Sequence, residues 1–596
     1  MVDNRRTYAE KIAIIGCCLA LSIGTLITVL TPANGYELSI YKATPAIVWV
    51  LLLFSLVISV IVAFATLSRR IRWVGIGIAW TAAIVLTALP YLRGYWLYGR
   101  FDPMNHHGIV IDLTYNINPL ETTIYPNMHI LAHTISTITG INSNRALLLI
   151  PPLFVLIYCF GIYTVVGRVS RTTLGRTIGA TVPLTFMWII GVRHPKVVPA
   201  PTVAALLLLP FVLFAVILAY QQTTTGSRIT AIGVLVAFVF YHPQHTVVLL
   251  GGLLFLFAAK KIELPKRRPT TTSTTIFSLA VIEGVVTVYW LLSRPQIAGT
   301  IQGTILSLQH SASVSNATPA KSGLQMVGGS LLELAIKVLL PKGILALSVA
   351  VLVVLYLYNR ELSIFRLPTV WLCIGIACSA VAFSLLFAVI GMRSQMFRYI
   401  GLLSTLAAIS FAVLGGEYSP RFPTAFRSAI VVIIVVAMIA TVPIMYQSDY
   451  TYQPNNQVTE SSVNGYEFAF ENSNADIGDI RTIENRPSRF VHTIYGKHHS
   501  NQLGYISWQS QRRIVLPHFQ ATTLNESGYL MITDYAEEQH VELYQGLRYS
   551  EKDFNRVAAS ADQIYSSKGA TLYRTGVRSN SSQRAEELSN LTSERR

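Results

Sequence analysis

The stretch that decides the fold is Ala46-Ile-Val-Trp-Val-Leu-Leu-Leu-Phe-Ser-Leu-Val-Ile-Ser-Val-Ile-Val-Ala-Phe-Ala65, followed at once by Thr-Leu-Ser-Arg69-Arg70-Ile-Arg72. It has no charge, no Gly and no Pro, and its 20 residues match the helix length a bilayer core demands. The arginines at its end mark where such a helix meets the cytoplasmic headgroups. Outward from this run the pattern repeats, giving candidate spans at 12–31, 45–67, 73–92, 145–166, 177–192, 200–220, 228–241, 246–259, 275–293, 336–357, 368–390, 399–416 and 428–445. The two short runs that meet at Tyr241-His242-Pro243-Gln244-His245 leave the count open by two, since a single re-entrant hairpin also fits them.

Composition agrees. Of 596 residues, 52% are hydrophobic and 13% charged, with formal net charge +17, and mean hydropathy is +0.49. That excludes a soluble globular protein, a disordered chain and a coiled coil, and the basicity is too dilute to suggest nucleic acid. The cysteines, Cys17, Cys18, Cys159, Cys373 and Cys378, all lie in apolar runs, so neither a disulfide framework nor a Cys-based zinc site is expected.

The first run follows Arg5 and Arg6, is too long for a signal-peptide core and has no clear cleavage site after it, so it reads as an uncleaved anchor. With the N-terminus inside, every second loop is cytoplasmic. Those loops hold Arg69, Arg70 and Arg72, then Arg168, Arg171 and Arg176, then Arg228, then the Lys260–Arg268 cluster, Arg360 and Arg366, and Arg421 and Arg427. The expected topology is therefore N-in, C-out, with loops 93–144 and 294–335 and everything from Tyr446 onward facing the exterior. The sequons at Asn316, Asn525, Asn580 and Asn590 fall on that side. No internal repeat is visible, unlike transporter folds built from paired halves.

The chain thus divides into a membrane domain at 1–445, an exterior α+β domain at 446–576 and a disordered tail at 577–596. The charge divides with it: from Tyr446 onward there are 15 Lys+Arg and 18 Asp+Glu, so the membrane part carries +20. Within the exterior domain, Arg489–Gly496, Arg513–Phe519 and Gly528–Thr533 read as strands. Gln563–Tyr573 reads as a hairpin turning at Gly569, and Asp534-Tyr-Ala-Glu-Glu as a capped helix start.

Polar residues are scarce, so their clustering carries information. The loop after the third span runs Arg93-Gly-Tyr-Trp-Leu-Tyr-Gly-Arg100-Phe-Asp102-Pro103-Met-Asn105-His106-His107-Gly-Ile-Val-Ile-Asp112. It is followed by Tyr125-Pro126-Asn127-Met-His129-Ile-Leu-Ala-His133, whose apolar spacing over 127–139 fits a short helix lying in the interface. His129 and His133 share a helix face, but the segment lacks the Glu of a metalloprotease helix, so zinc hydrolysis is not the expected chemistry. Arg193-His194-Pro-Lys196 and Arg393-Ser-Gln-Met-Phe-Arg398 break the positive-inside alternation, and His242 and His245 stand at a further turn on that side. Glu283 sits mid-span. It reads either as a proton or ion site or as a protonated carboxyl hydrogen-bonded in the bundle.

Asp102-Pro-x-x-His106 after an early span, then Tyr125-Pro126 opening an interfacial helix, resembles the GT-C superfamily of integral-membrane glycosyltransferases. In length and texture the chain is most similar to the archaeal dolichyl-phosphate-mannose mannosyltransferases of protein N-glycosylation. The resemblance implies a catalytic Asp in the first exterior loop, a donor sugar carried on a lipid phosphate, and a glycan or glycoprotein acceptor. The Trp-Trp-Asp-Tyr-Gly signature of the superfamily's oligosaccharyltransferases is missing; the nearest segment is Gly504-Tyr-Ile-Ser-Trp508. Transfer of one sugar, mannose by the resemblance, is therefore expected rather than transfer of a whole glycan.

The chemistry needs a carboxylate to accept the acceptor hydroxyl's proton, and cations to steady the leaving lipid phosphate. Asp102 is the expected base, with Asp112 as substitute or positioning group. Arg393, Arg398, Arg193 and Lys196 are the expected phosphate ligands. His106, His107, Tyr125 and His129 are expected to position acceptor or loop. A monophosphate donor gives little reason for a divalent metal, so none is expected. The alternative reading is a transporter or flippase for lipid-linked glycans, in which Glu283 outweighs Asp102.

Overall fold

The computed structural model describes the chain except for residues 1, 171, 186–196, 223, 264–270, 295–326, 359–367, 391–396, 419–423, 475, 485–487, 504–525 and 577–596. The expected strand at 513–519, the Trp508 segment, the terminal tail and all four sequons lie outside the described residues.

The chain is a polytopic α-helical membrane protein carrying a small α+β domain. Helices α1 (Val2–Leu30), α2 (Ala46–Ala65) and α3 (Arg69–Thr87) pack as an antiparallel trio. Two shorter helices follow, α4 (Asp102–Thr114) and α5 (Pro126–Thr139). The bundle continues with α6 (Ser143–Val169), α7 (Thr173–Thr181), α8 (Pro201–Gln222), α9 (Thr225–Tyr241), α10 (Pro243–Glu263) and α11 (Thr271–Leu292). It closes with α12 (Leu331–Tyr358), α13 (Pro368–Val389), α14 (Ile400–Tyr418) and α15 (Thr424–Thr441).

Among the described residues, 10 helices are long and apolar enough to cross a membrane, and Thr225–Tyr241 and Pro243–Ala259 are shorter apolar helices. The run expected at 177–192 begins as α7 and a following 3-10 turn, Val182–Thr185, beyond which it is not described. At the doubtful pair, α9 and α10 are separate helices of 17 and 21 residues joined at His242. At 1.5 Å per residue they measure about 25 and 31 Å, more than a shallow re-entrant hairpin.

Where helices cross closely the contact residue is small. A Cβ on Gly161 of α6 would come within 2.8 Å of the Phe211 backbone in α8, and one on Gly375 of α13 within 3.0 Å of the Gly252 carbonyl in α10. Close backbone approach is how apolar helices gain packing in lipid, where hydrophobicity alone gives no preference for another helix.

After α15, the C-terminal domain opens with β2 (Gln457–Val458), which pairs antiparallel with β1 (Leu97–Tyr98) of the loop before α4. Helix α16 (Glu460–Asn472) leads into a four-stranded sheet ordered β3 (Ile480–Thr482), β4 (Gly528–Thr533), β6 (Ala570–Thr575), β5 (Asp562–Ser566). Strand β4 is buried along its whole length because both faces are covered. Tyr529 and Met531 belong to the main core with Val463 and Phe470 of α16. Leu530 and Ile532 face Phe554 and Val557 of the helix Glu551–Ser560. The β5–β6 hairpin turns at Ser567–Gly569, and Thr533 caps the helix Asp534–Glu538.

Arg489–Gly496, expected as a strand, is instead helix α17 (Ser488–Tyr495). Its β-branched content suggested a strand, but Phe490, Val491, Ile494 and Tyr495 recur at helical spacing, and Phe490 and Val491 are buried. Helix α17 lies against α4, where a Cβ on Gly108 would come within 2.4 Å of the His492 carbonyl.

Candidate active site

The segment that ends at Asp102 is tightly determined. Gly99 has φ +114, and a Cβ there would fall 2.4 Å from Pro103. Phe101 follows with φ 76, a backbone state that costs a non-glycine residue about 1–3 kcal/mol. Gly99 donates its N–H to the Asn456 carbonyl at 2.8 Å. Arg100 is buried: its Nη2 meets Glu484 Oε2 at 2.5 Å, its Nη1 donates to the Gln457 carbonyl at 3.1 Å, and its guanidinium lies 3.8 Å from the Tyr535 ring centre. The C-terminal domain thus clamps the turn, and Pro103 starts α4 with Asp102 in its first turn.

This geometry sets Asp102 on a cavity of about 630 Å³, within the range of about 300–1,000 Å³ common for small-molecule sites. Asp102, Asn105, His106, Tyr125 and Arg398 all line it. The Asp102 side chain is 74% exposed, and Arg489 Nη2 donates to its Oδ1 at 3.3 Å. Asn105 Oδ1 is buried and has no hydrogen-bond partner among the described residues. Arg398, just before α14, has its Nη1 3.5 Å from Gln244 Oε1. Burial holds the Tyr125 hydroxyl pKa above its usual value, against Arg398, which lowers it, and with Asp102, which raises it. The Tyr125 ring stacks on His242 at 4.9 Å, and His242 Nε2 lies 3.0 Å from Thr202 Oγ1.

His106 Nδ1 lies 3.1 Å from His129 Nε2. Burial, helped by Lys497 and Arg489, lowers the His106 pKa to about 3, and burial likewise holds His129 well below the ordinary value. Both rings are therefore neutral at pH 7. His107 faces away from the cavity and is buried, with Nδ1 2.8 Å from Thr493 Oγ1 and Nε2 2.9 Å from Ser143 Oγ.

Asp112 stands three turns along α4, away from the cavity. It is 1% exposed, and its carboxylate accepts the backbone N–H groups of His498 and His499 at 3.0 Å. The structure gives Asp112 an architectural position and does not bring it to Asp102. Arg393, Arg193 and Lys196 lie outside the described residues. Among the described residues no group of three or more His, Cys, Asp or Glu is placed to hold a metal ion.

Several cavity residues were not anticipated from the sequence. Beside the cavity, and not in its lining, Arg489 of α17 is the ion-pair partner of Asp102. Tyr535, Gln539 and Tyr544 form a wall from the helix after β4, which continues through a single π-helical turn at Gln539–Leu543. The aromatic and amide content of 535–544 was the available signal, since stacking rings and amides suit a sugar, but nothing local links that segment to a loop 430 residues earlier. The C-terminal domain is therefore part of the site's wall.

No family model matches the sequence, and no curated protein does. Among solved structures the chain is similar to ArnT from Cupriavidus metallidurans bound to undecaprenyl phosphate, at 11% identity and TM-score 0.44 over 85% of this chain and 98% of that one. It is similar also to the archaeal oligosaccharyltransferase AglB from Archaeoglobus fulgidus in complex with an inhibitory peptide and a dolichol-phosphate, at 11% identity and TM-score 0.44 over 84% and 74%.

Proposed function

We propose that this chain is a membrane glycosyltransferase that moves one sugar, mannose by the sequence resemblance, from a dolichyl-phosphate-linked donor to a glycan acceptor on the exterior face, in protein N-glycosylation. The observation that carries this reading is a single cavity bearing an exposed carboxylate, Asp102, and a permanent cation, Arg398.

In the proposed reaction the acceptor hydroxyl donates its proton to Asp102 as its oxygen bonds to the sugar C1, and the C1–O bond to the lipid phosphate breaks. Arg398 takes up the charge released on that phosphate, which a guanidinium grips with two parallel donors. Tyr535 and Tyr544 supply flat apolar surface. Arg489 holds Asp102 in place. Arg193, Lys196 and Arg393 remain proposed additional phosphate ligands. No divalent metal is required, so activity persists in EDTA.

The test is Asp102→Asn. Loss of general-base catalysis is expected to cut transfer by about 10²–10⁴-fold, with donor binding and membrane expression retained; full activity in this variant would exclude Asp102 as the base. A transporter of lipid-linked glycans is favoured by one observation: Glu283 is fully buried and neither of its oxygens has a hydrogen-bond partner among the described residues, unlike the carboxyl hydrogen-bonded in the bundle that is the other reading. A deletion strain separates the readings. A glycan short by one sugar with charged donor accumulating supports the transferase, and substrate stalled in the cytoplasmic leaflet supports the transporter.

A further inference from the structure

A second cavity, of about 790 Å³, opens at the other end of the helix bundle, between the end of α2, the start of α7 and the start of α15. Helix α2 alone separates the two ends by about 30 Å, from 20 residues at 1.5 Å each, so this cavity takes no part in the chemistry at Asp102. Its wall is aliphatic and aromatic, with Ile61, Phe64, Leu174 and Val431; its polar lining includes Arg6, Arg72 and Arg427.

Two of these guanidinium groups are held in place by the fold. Arg72 Nε donates to the Ala63 carbonyl at 3.2 Å and its Nη2 to the Thr66 carbonyl at 2.7 Å, closing the end of α2. Arg6 Nη2 donates to the Ala65 carbonyl, and its Nε pairs with Glu10 at 3.3 Å. Arg427 is exposed on the first turn of α15. A neighbouring cavity of about 360 Å³ shares Leu67, Arg72, Thr173 and Thr177 with this one and adds Arg69 and Arg176. Five arginines therefore line these two adjoining cavities, and Glu10 pairs with one of them, Arg6.

That combination selects its ligand. Planar, permanently charged forks suit a phosphate, and they bind it better than a lysine cluster does because two parallel donors meet two oxygens. A soluble anion leaves the Ile61–Phe64–Val431 wall facing water, and a zwitterionic lipid gains little from clustered arginines. We propose that the recess binds an anionic phospholipid, its headgroup phosphate on Arg72, Arg6 and Arg427 and one acyl chain along Ile61, Phe64 and Val431.

The experiment uses the full chain in phosphatidylcholine nanodiscs doped with a minor share of phosphatidylglycerol, with bound lipid counted by native mass spectrometry after detergent release. The wild type is expected to retain phosphatidylglycerol in preference to phosphatidylcholine. Arg427→Gln, at an exposed position, is expected to weaken that retention about fivefold, the effect of one arginine near an anionic surface. Val431→Trp, which fills the apolar arm and leaves every arginine in place, is expected to abolish it. Retention in the wild type no better than the bilayer ratio overturns the proposal, as does retention unaltered in both variants. Displacement of the lipid by inorganic phosphate alone overturns it in favour of a soluble anion, because the apolar wall then contributes nothing.

Discussion

Two carboxylates on one short helix show how differently the two ends of α4 are used. Asp102, in its first turn, is 74% exposed, meets one arginine at 3.3 Å and looks into a cavity. Asp112, near its end, is 1% exposed and bound by two backbone N–H groups of the chain after α17. A buried carboxylate that accepts from backbone donors is out of a substrate's reach, and removing it leaves those half-buried donors unpaired. A carboxylate held at the mouth of a cavity by a strained turn has spare acceptor capacity and room for a hydroxyl. The difference assigns chemistry to one end of the helix and docking of the C-terminal domain to the other.

The sharpest way to break this division is Asp112→Ala. It is expected to lower stability by about 2–4 kcal/mol, since hydrogen bonds to charged groups contribute roughly 1.5–3 kcal/mol each and the half-buried N–H groups of His498 and His499 lose their partner. Transfer per folded molecule is expected to hold. Thermal inactivation in detergent, read beside the rate of the surviving fraction, gives both quantities. A large fall in rate at unchanged stability would return Asp112 to the reaction.

Next comes Arg398→Gln. If the cation meets the donor phosphate, losing one charge-assisted contact of about 1.5–3 kcal/mol raises the donor KM by roughly one to two orders of magnitude. Asp102→Asn, by contrast, is expected to act on kcat. Steady-state kinetics with varied donor separates the two, and the same kinetic signature in both variants would mean that the cavity does not divide base from phosphate site in this way.

What the sequence made legible follows from range. Membrane spans are local patterns about twenty residues long, so α2 and its flanking arginines announce themselves, and the cluster around Asp102 stands out where polar residues are rare. The order of the loop was less legible. Asp102–Thr114 read as a loop because its polar first half hides the helical spacing of Met104, His107, Gly108 and Ile111, which only packing against α17, α5 and α6 uses. Residues 489–496 were misassigned because β-branched composition was weighed above period. Tyr535, Gln539 and Tyr544 reach the cavity, and Arg489 reaches Asp102, only through tertiary packing, and no local pattern marks them. Arg398 was noticed for a different reason, a positive charge on the side where the topology predicts few.

The smallest expected effect tests the architectural end through pH. His107 accepts or donates to Thr493 and Ser143 and is buried, which lowers its pKa to about 4. In the unfolded chain an imidazole titrates near 6.5. Between those values the unfolded state binds the additional proton, so the stability contributed by neutral His107 is complete above about pH 6.5 and declines as pH falls toward 4. His107→Gln keeps a polar group between Thr493 and Ser143 but cannot titrate. At pH 7 the variant is expected to be the less stable of the two. By pH 5 the gap is expected to narrow by about 2 kcal/mol, because only the wild type has lost the corresponding linkage energy. His106 and His129 titrate in the same direction in both proteins and cancel in the comparison. A gap that stays constant from pH 7 to pH 5 would mean that His107 titrates in the folded state as it does in the unfolded chain, and a gap that widens would mean that the folded state favours the charged ring, so that the docking of α17 on α4 depends on charge rather than on neutral hydrogen bonds.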